Sequence, residues 1–334
     1  SFIAGLMELR YIQSLPVERI INYFEGYGFT LKKPTAHKLI EKASSLFENL
    51  YKCIRQTALS DPYKAADETY YKILVPEKNS KGKGVRKGYL WVVVGINTRM
   101  IYLLYDDGSR SERVILNELG GCKGIIQSDG YSPYRKLESD AYPHITRIPC
   151  LQHIKRKFID CGEKDPDAKR IVELINALYQ NEHKHKVGVE GWTVEQNLMH
   201  RKKYALDILG EIKDVLDEIE ERGDLLPKSE LREAITYLRN EWNAVVDIFN
   251  YGDTFLDNNI VERMNRYIFL SRKNSLFFGS HKGAERGAIL YTIALTCRMH
   301  KVNLFKYLTD VINRTAEWQP NTPLEKYREL LPDK

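Results

Sequence analysis

The sequence predicts an α/β fold, a mixed five-stranded sheet flanked by helices. Three observations carry that expectation: strand-like runs joined by hairpin turns, a following alternation of helix and strand, and a long helical block before a last amphipathic helix. The chain has 334 residues, 43% hydrophobic and 29% charged, which is globular and enough to bury a sizeable core. No run approaches about 18 apolar residues, so no membrane-spanning helix is expected.

The first sixty residues read as helices. Pro16 to Phe24 has the spacing of a short amphipathic helix with proline near its start. Gly26-Tyr27-Gly28 breaks it. Pro34-Thr35 then opens a longer helix, with Leu39, Ile40, Ala43, Leu46, Phe47, Leu50 and Tyr51 at three-and-four spacing. The second of these helices, carrying Lys38, Lys42 and Lys52, fits either a helix-turn-helix reader of DNA or a plain helical hairpin.

From Ala65 to Cys150 the pattern turns to strands. Asp67, Thr69, Tyr71 and Ile73 alternate onto one face. The Gly- and Lys-rich stretch from Lys78 to Gly88 looks like a hairpin tip. Leu90 to Ile96 is a continuous apolar run, as in a strand covered on both faces. Asn97-Thr98-Arg99 turns it into Met100 to Tyr105, and Ser111 to Leu119 is a short helix stopped by Gly120-Gly121. Gly124 to Gly130 is a short strand ending in an acid. Ile145 to Cys150 is a fifth strand, running into a basic helix. Helices are expected over 168–180, 194–222 and 229–249, and another from Asp257. The predicted division is a helical segment over 1–60, a sheet core over 61–164 and 255–300, a helical insertion over 165–254 and a helical tail over 301–334.

Net charge is +6 but unevenly spread. Residues 165–250 hold 12 Lys+Arg against 18 Asp+Glu, which leaves +12 on the remainder. A basic remainder of that size suits a polyanionic partner. Cys53, Cys122, Cys150, Cys161 and Cys297 are odd in number and scattered, which fits a reducing compartment better than a disulfide framework. No basic-then-apolar leader follows Ser1, so no secretory signal is expected.

Three carboxylates sit where such a fold can gather them. Asp67 lies in the first strand. Asp129 ends the fourth, before Gly130, which permits a sharp exit and the close approach of a ligand. Glu262 lies on the polar face of the last amphipathic helix with Asn258, Asn259 and Arg266, away from Ile260, Met264, Tyr267 and Ile268. Carboxylates ~4 Å apart repel by about 4 kcal/mol per pair at an effective dielectric of 20, so the cluster needs protons or cations. Mg²⁺ prefers oxygen ligands and keeps sites for water and phosphate. Two such ions can activate a water or 3′-hydroxyl and stabilise the leaving oxygen of a phosphodiester. The competing reading is three unrelated acids, with Glu262 paired to Arg266 along its helix.

The words around these acids are specific. They are Gln127-Ser128-Asp129-Gly130-Tyr131; Asp257-Asn258-Asn259-Ile260-Val261-Glu262-Arg263-Met264-Asn265-Arg266; and Ser271-Arg272-Lys273-Asn274-Ser275-Leu276-Phe277-Phe278-Gly279-Ser280. With Ala66-Asp67-Glu68-Thr69 and Gly88-Tyr89-Leu90-Trp91, they resemble the insertion-sequence-66 family of bacterial transposases, from about residue 1 to the Leu330-Leu331-Pro332 tail. The resemblance implies an RNase H-like catalytic core and an Asp-Asp-Glu triad of Asp67, Asp129 and Glu262 holding Mg²⁺ or Mn²⁺, two ions in all. It also implies a helical insertion between the second and third acids. Cys150-Leu151-Gln152-His153 corresponds to the family's Cys-x-x-His element, for which support of the fold, phosphate contact and zinc binding by Cys150 and His153 all stay open. Ser271 stands where the family usually has Gly, and Leu151-Gln152 where it usually has Trp-Ala; neither removes an acid. Family members usually carry an upstream zinc-binding and helical region, and recognition of specific transposon ends is expected to go with it.

Basic groups gather around the proposed centre. Lys155, Arg156 and Lys157 follow the fifth strand, and residues 257–301 carry eight Lys+Arg against three Asp+Glu. Arg263 and Arg266 adjoin Glu262, and Arg272, Lys273 and Asn274 follow; these are expected to hold phosphates either side of a cut. The five charges of Lys78–Lys87 suit solvation as well as DNA contact. The expected protein is a DNA transposase that cuts transposon ends by metal-assisted hydrolysis and joins the 3′-hydroxyl to target DNA. It would act on double-stranded DNA as a homodimer or higher assembly in the bacterial cytoplasm, at the nucleoid, without a membrane. Two rivals are an RNase H-like nuclease such as a junction resolvase, and a non-catalytic DNA-binding protein derived from a transposase.

Overall fold

The computed structural model describes residues 1–77, 82, 84–162, 165–184, 187, 191–319 and 321–333. Strands β1 (Tyr63–Leu74), β2 (Val85–Gly95), β3 (Ile101–Leu104), β4 (Gly124–Ser128) and β5 (Ile145–Pro149) form one sheet in the order β3-β2-β1-β4-β5. The helices are, in chain order, α1 (Phe2–Met7), which runs into a π-helical turn at Glu8–Ile12, α2 (Val17–Gly26), α3 (Lys33–Leu46), α4 (Glu48–Ser60) and α5 (Glu112–Leu119). Then come α6 (Ser132–Arg135), α7 (Leu151–Asp160), α8 (Pro166–Lys184), α9 (Val194–Glu221) and α10 (Glu230–Ile248). The last are α11 (Asn259–Asn274), α12 (His281–Met299), α13 (Leu304–Thr315) and α14 (Leu324–Arg328). A mixed five-stranded sheet with flanking helices is the predicted α/β class. The chain divides into two compact units, Ser1–Gly124 with Asn259–Lys334, and Ile125–Asn258.

In the first unit β1 and β2 pair antiparallel from Lys64↔Gly95 to Leu74↔Val85. The predicted alternation holds beyond Thr69: Tyr71 and Ile73 are buried, Tyr70 and Lys72 exposed. Tyr63 to Ala66 is buried throughout, so β1 starts earlier than alternation announces. The expected tip falls mostly on 78–81 and 83, outside the described residues, and β2 takes over from Val85. Asp61 ties the base of the pair, accepting from the N–H groups of Tyr63 (2.9 Å) and Thr98 (2.7 Å) and the Asn97 amide (3.1 Å). Thr292 and Thr296 of α12 accept the N–H groups of Leu103 and Ile101 at 2.9 and 3.1 Å. Bare backbone of an edge strand invites foreign pairing, and these hydroxyls occupy it on β3.

The single helix expected from Pro34 to Tyr51 is two. Phe47, buried with φ −99° and ψ 9°, breaks the helix between α3 and α4 while the apolar repeat carries straight on through Ala43, Phe47 and Leu50. Lys52 therefore stands on α4, ion-paired with Glu48, while Lys38 and Lys42 stay on α3. Val17, Leu31 and Ala36 bind α2 to α3, with Ile21, Phe24, Leu39 and Ile40 around them.

In the second unit, α10 packs on α7 and β5, and α8 packs on α7 and α9, so the predicted insertion shares a core with the fifth strand. Thr193 and Gln196 form a capping box on α9, and Ser229 caps α10. Arg201, 1% exposed, ion-pairs with Glu182 and donates to the carbonyls of Ile248 (3.3 Å), Tyr251 and Thr254 (2.7 Å). Asn197 donates to Gly252 O at 2.7 Å. Together they fix the segment that follows α10.

Among the described residues no helix is long and apolar enough to cross a membrane. All five cysteines are free thiols.

Candidate active site

Asp67 is half-buried on β1. Its Oδ1 accepts the Glu68 N–H at 2.8 Å and its Oδ2 the Asn265 amide at 2.7 Å. Asn265 lies one turn after Glu262 on α11, and residues three apart share a helix face. The row of α11 that carries Glu262 is therefore the row that meets Asp67. Both residues belong to the first unit.

The buried stripe of α11 is Val261, Met264, Ile268 and Ser271, which keeps Met264 and Ile268 of the expected stripe and adds Val261 and Ser271. Ile260 and Tyr267 are half-buried at its margins, and Asn258 precedes the helix, fully buried. The correction has a physical source: Asn265 borders the stripe because Asp67 accepts its amide there.

The far end of α11 is pinned to the same strand. Tyr71 donates to Ser275 O at 2.6 Å, and Phe278 joins the edge of β1, its N–H on Lys72 O at 2.8 Å and its carbonyl accepting Leu74 N–H at 2.9 Å. Ser271, the departure from the family's glycine, is fully buried and its hydroxyl accepts the Tyr291 O–H at 2.5 Å. Burial holds the Tyr291 phenol above its ordinary range, keeping it a neutral donor.

Asp129 lies in the second unit, half-buried just after β4. Its Oδ1 accepts Tyr131 N–H at 3.1 Å, and its carbonyl accepts Arg147 Nη1 at 3.1 Å. Arg147 on β5 is fully buried and ion-paired with Glu138 and with the fully buried Glu241 of α10. Gly130 N–H donates to Tyr237 Oη at 2.9 Å, and a Cβ at Gly130 would lie 2.4 Å from that oxygen. The glycine makes room for a tyrosine of α10. Burial pushes the Tyr237 phenol up to about 12, so it stays neutral.

The basic residues fall into two groups. Arg263 and Arg266 are exposed on α11. Arg272 donates to Tyr70 O at 2.6 Å and lies 3.8 Å from the Tyr70 ring centroid, Lys273 lies 4.7 Å from that of Phe269, and Asn274 spends its amide on Ser14 O at 3.1 Å. In the second unit Arg156 and Lys157 are exposed and Lys155 half-buried, its ammonium 5.9 Å from the Tyr179 ring. Cys150 is buried at the start of α7 and its Sγ accepts Asn258 N–H at 3.2 Å; His153 follows on the first turn, half-buried.

Sequence reasoning passed over Asn265, Arg147, Tyr237 and Glu241. A signal existed for Glu241, a charge inside the apolar repeat Ala234, Leu238, Val245, Ile248 of its helix. Arg147 similarly interrupts the buried run of β5.

Curated relatives in Sinorhizobium fredii (strain NBRC 101917 / NGR234) match most of the chain. One, named uncharacterized protein y4jD, is 26% identical over 343 residues, covering 98% of this chain and 64% of its own length. A second, uncharacterized protein y4hP, is 25% identical over 340 residues, covering 95% and 58%. A third, uncharacterized protein y4qI, is 29% identical over 275 residues, covering 78% and 49%. The chain thus spans between about half and two thirds of these relatives. The profile of the transposase IS66 family matches residues 1–286, and the chain belongs to that family.

Proposed function

We propose that this chain cleaves DNA at transposon ends with a divalent metal and joins the freed 3′-hydroxyl to target duplex, on an RNase H-like core whose catalytic acids are Asp67, Asp129 and Glu262. The reading rests on one contact, the Asn265 amide on Asp67 with Glu262 one turn away on the same helix row. Family membership supports it independently.

The donor set fits Mg²⁺ or Mn²⁺. Asp67 and Glu262 are half-buried carboxylates, oxygen donors of the kind these ions prefer. When bound, such an ion or a pair of them polarises the scissile phosphate and makes the attacking water or hydroxyl more acidic. The chain's own residues do the rest. Asn265 and the Glu68 N–H fix the Asp67 carboxylate in one orientation, and Asp129 is held through its backbone by Arg147. Arg263 and Arg266 present guanidinium forks suited to phosphate oxygens. Lys155, Arg156 and Lys157 supply further phosphate contacts from the second unit. Two transposon ends make a dimer or higher assembly the working form.

Purified full-length chain with Mn²⁺ is expected to nick a labelled duplex carrying a transposon end. Asp129→Ala and Glu262→Gln each abolish nicking and leave duplex binding intact. Full activity in either variant rejects the triad. Joined products in a strand-transfer assay separate transposition from hydrolysis alone.

A further inference from the structure

The outward face of the β1–β2 pair carries exposed positive charge. Tyr70 stands opposite Tyr89 and Lys72 opposite Lys87 in the antiparallel register. With period two these four side chains share one face, the face away from Asp67 and Tyr71. Tyr70 is 37% exposed, and both lysines are exposed. Like charges directly opposite in an antiparallel pair, Cβ atoms about 5 Å apart, weaken the pairing. A negatively charged partner on this face turns that repulsion into attraction.

Two arginines reach the same rings from other elements. Arg272 of α11 lies 3.8 Å from the Tyr70 centroid, and Arg110 lies 5.2 Å from that of Tyr89. The Lys87 ammonium is 4.4 Å from the Tyr70 centroid and 5.3 Å from that of Tyr89. Three cations thus lie over two rings, and Lys72 stands opposite Lys87 on the same face. Glu68 pairs with Arg110 at 2.8 Å, but its own side chain is only 4% exposed, so the face it leaves to solvent is positive.

We infer that this face is a binding surface for the phosphate backbone of duplex DNA, made by Lys72, Lys87, Arg110 and Arg272 around Tyr70 and Tyr89. Its strand residues point to the face opposite Asp67, and Arg272 reaches it from α11. The rings are covered by cations, which they orient through their π-faces. Ring faces so covered are closed to stacking bases, which is how single strands are gripped without sequence preference. The surface therefore reads phosphates and positions a duplex, and it carries no preference for sequence. The inference rests on DNA as the partner proposed above.

The test is the affinity of the full chain for duplexes with and without a transposon end, across a series of NaCl concentrations. Lys72→Gln with Lys87→Gln removes two phosphate contacts and should flatten the slope of log K against log salt by about 1.8. Binding should weaken by the same factor on both duplexes. The melting temperature should hold or rise, because the variant also removes the like-charge pair, so weaker binding cannot be assigned to unfolding. Lys213→Gln with Lys228→Gln, both exposed and far along the chain in the other unit, is the charge-matched control and should leave the slope unchanged. An unchanged slope in the Lys72/Lys87 variant, with duplex binding retained, overturns this face and leaves the partner standing. A wild-type chain that binds no duplex overturns the partner and the face with it.

Discussion

Asn265 touches Asp67 and Gly130 follows Asp129, two of the three acids proposed for catalysis. Asn265 holds one oxygen of Asp67, and groups that orient a metal-binding carboxylate typically matter by about 10–100-fold. Asn265→Ala should lower nicking by that order and raise the Mn²⁺ concentration for half-maximal rate, with duplex affinity unchanged; steady-state rates against Mn²⁺ check it. Gly130→Ala would drive a methyl to 2.4 Å from Tyr237 Oη. Such overpacking costs about 1–3 kcal/mol, to be read from urea unfolding. At this scale Asp129 and Glu262 were legible because they sit in short, specific words. What holds them was not. Tyr237 is 107 positions from the glycine it touches, and no local pattern links the two.

Elements carry the next layer of support. Arg147 of β5 and Glu241 of α10 are a fully buried ion pair that also fixes the Asp129 carbonyl. Removing Glu241 leaves the buried Arg147 with the partly exposed Glu138 as its remaining recorded carboxylate, so Glu241→Ala should cost about 3 kcal/mol in urea unfolding, the low end for breaking a buried pair. Arg147→Met with Glu241→Leu should recover much of that loss, since both fully buried charges are gone and Glu138 is left partly exposed to water. Many strands and helices were readable, β2 and β5 as short apolar runs between turn residues and α7, α9 and α11 from period 3.6. The break at Phe47 escaped because the apolar repeat runs through it. The start of β1 escaped because a strand segment buried on both faces does not alternate.

At the scale of the whole molecule, charge and burial govern the response to solution conditions. His300 is half-buried, and burial holds its imidazole below the ordinary 6.5. The unfolded chain then takes up a proton more readily than the folded one. Stability from this group is complete above pH 6.5 and is lost as pH falls through the lower folded value. Melting temperature should therefore drop between pH 7 and pH 5, and by less in His300→Gln. The basic excess outside residues 165–250 was legible from composition, but its arrangement around Tyr70 and Tyr89 needed the strand register. So did the sharing of one core by β5, α7 and α10, since sequence marks where helices lie and not which strand they cover.

Titration of the full chain with Mn²⁺, followed by the electron paramagnetic resonance signal of the free ion, bears most directly on the acids. Tight uptake by the wild type that disappears in Asp67→Ala and in Glu262→Gln is the predicted result. Equal uptake in all three proteins would contradict the assignment of these carboxylates to a common metal site.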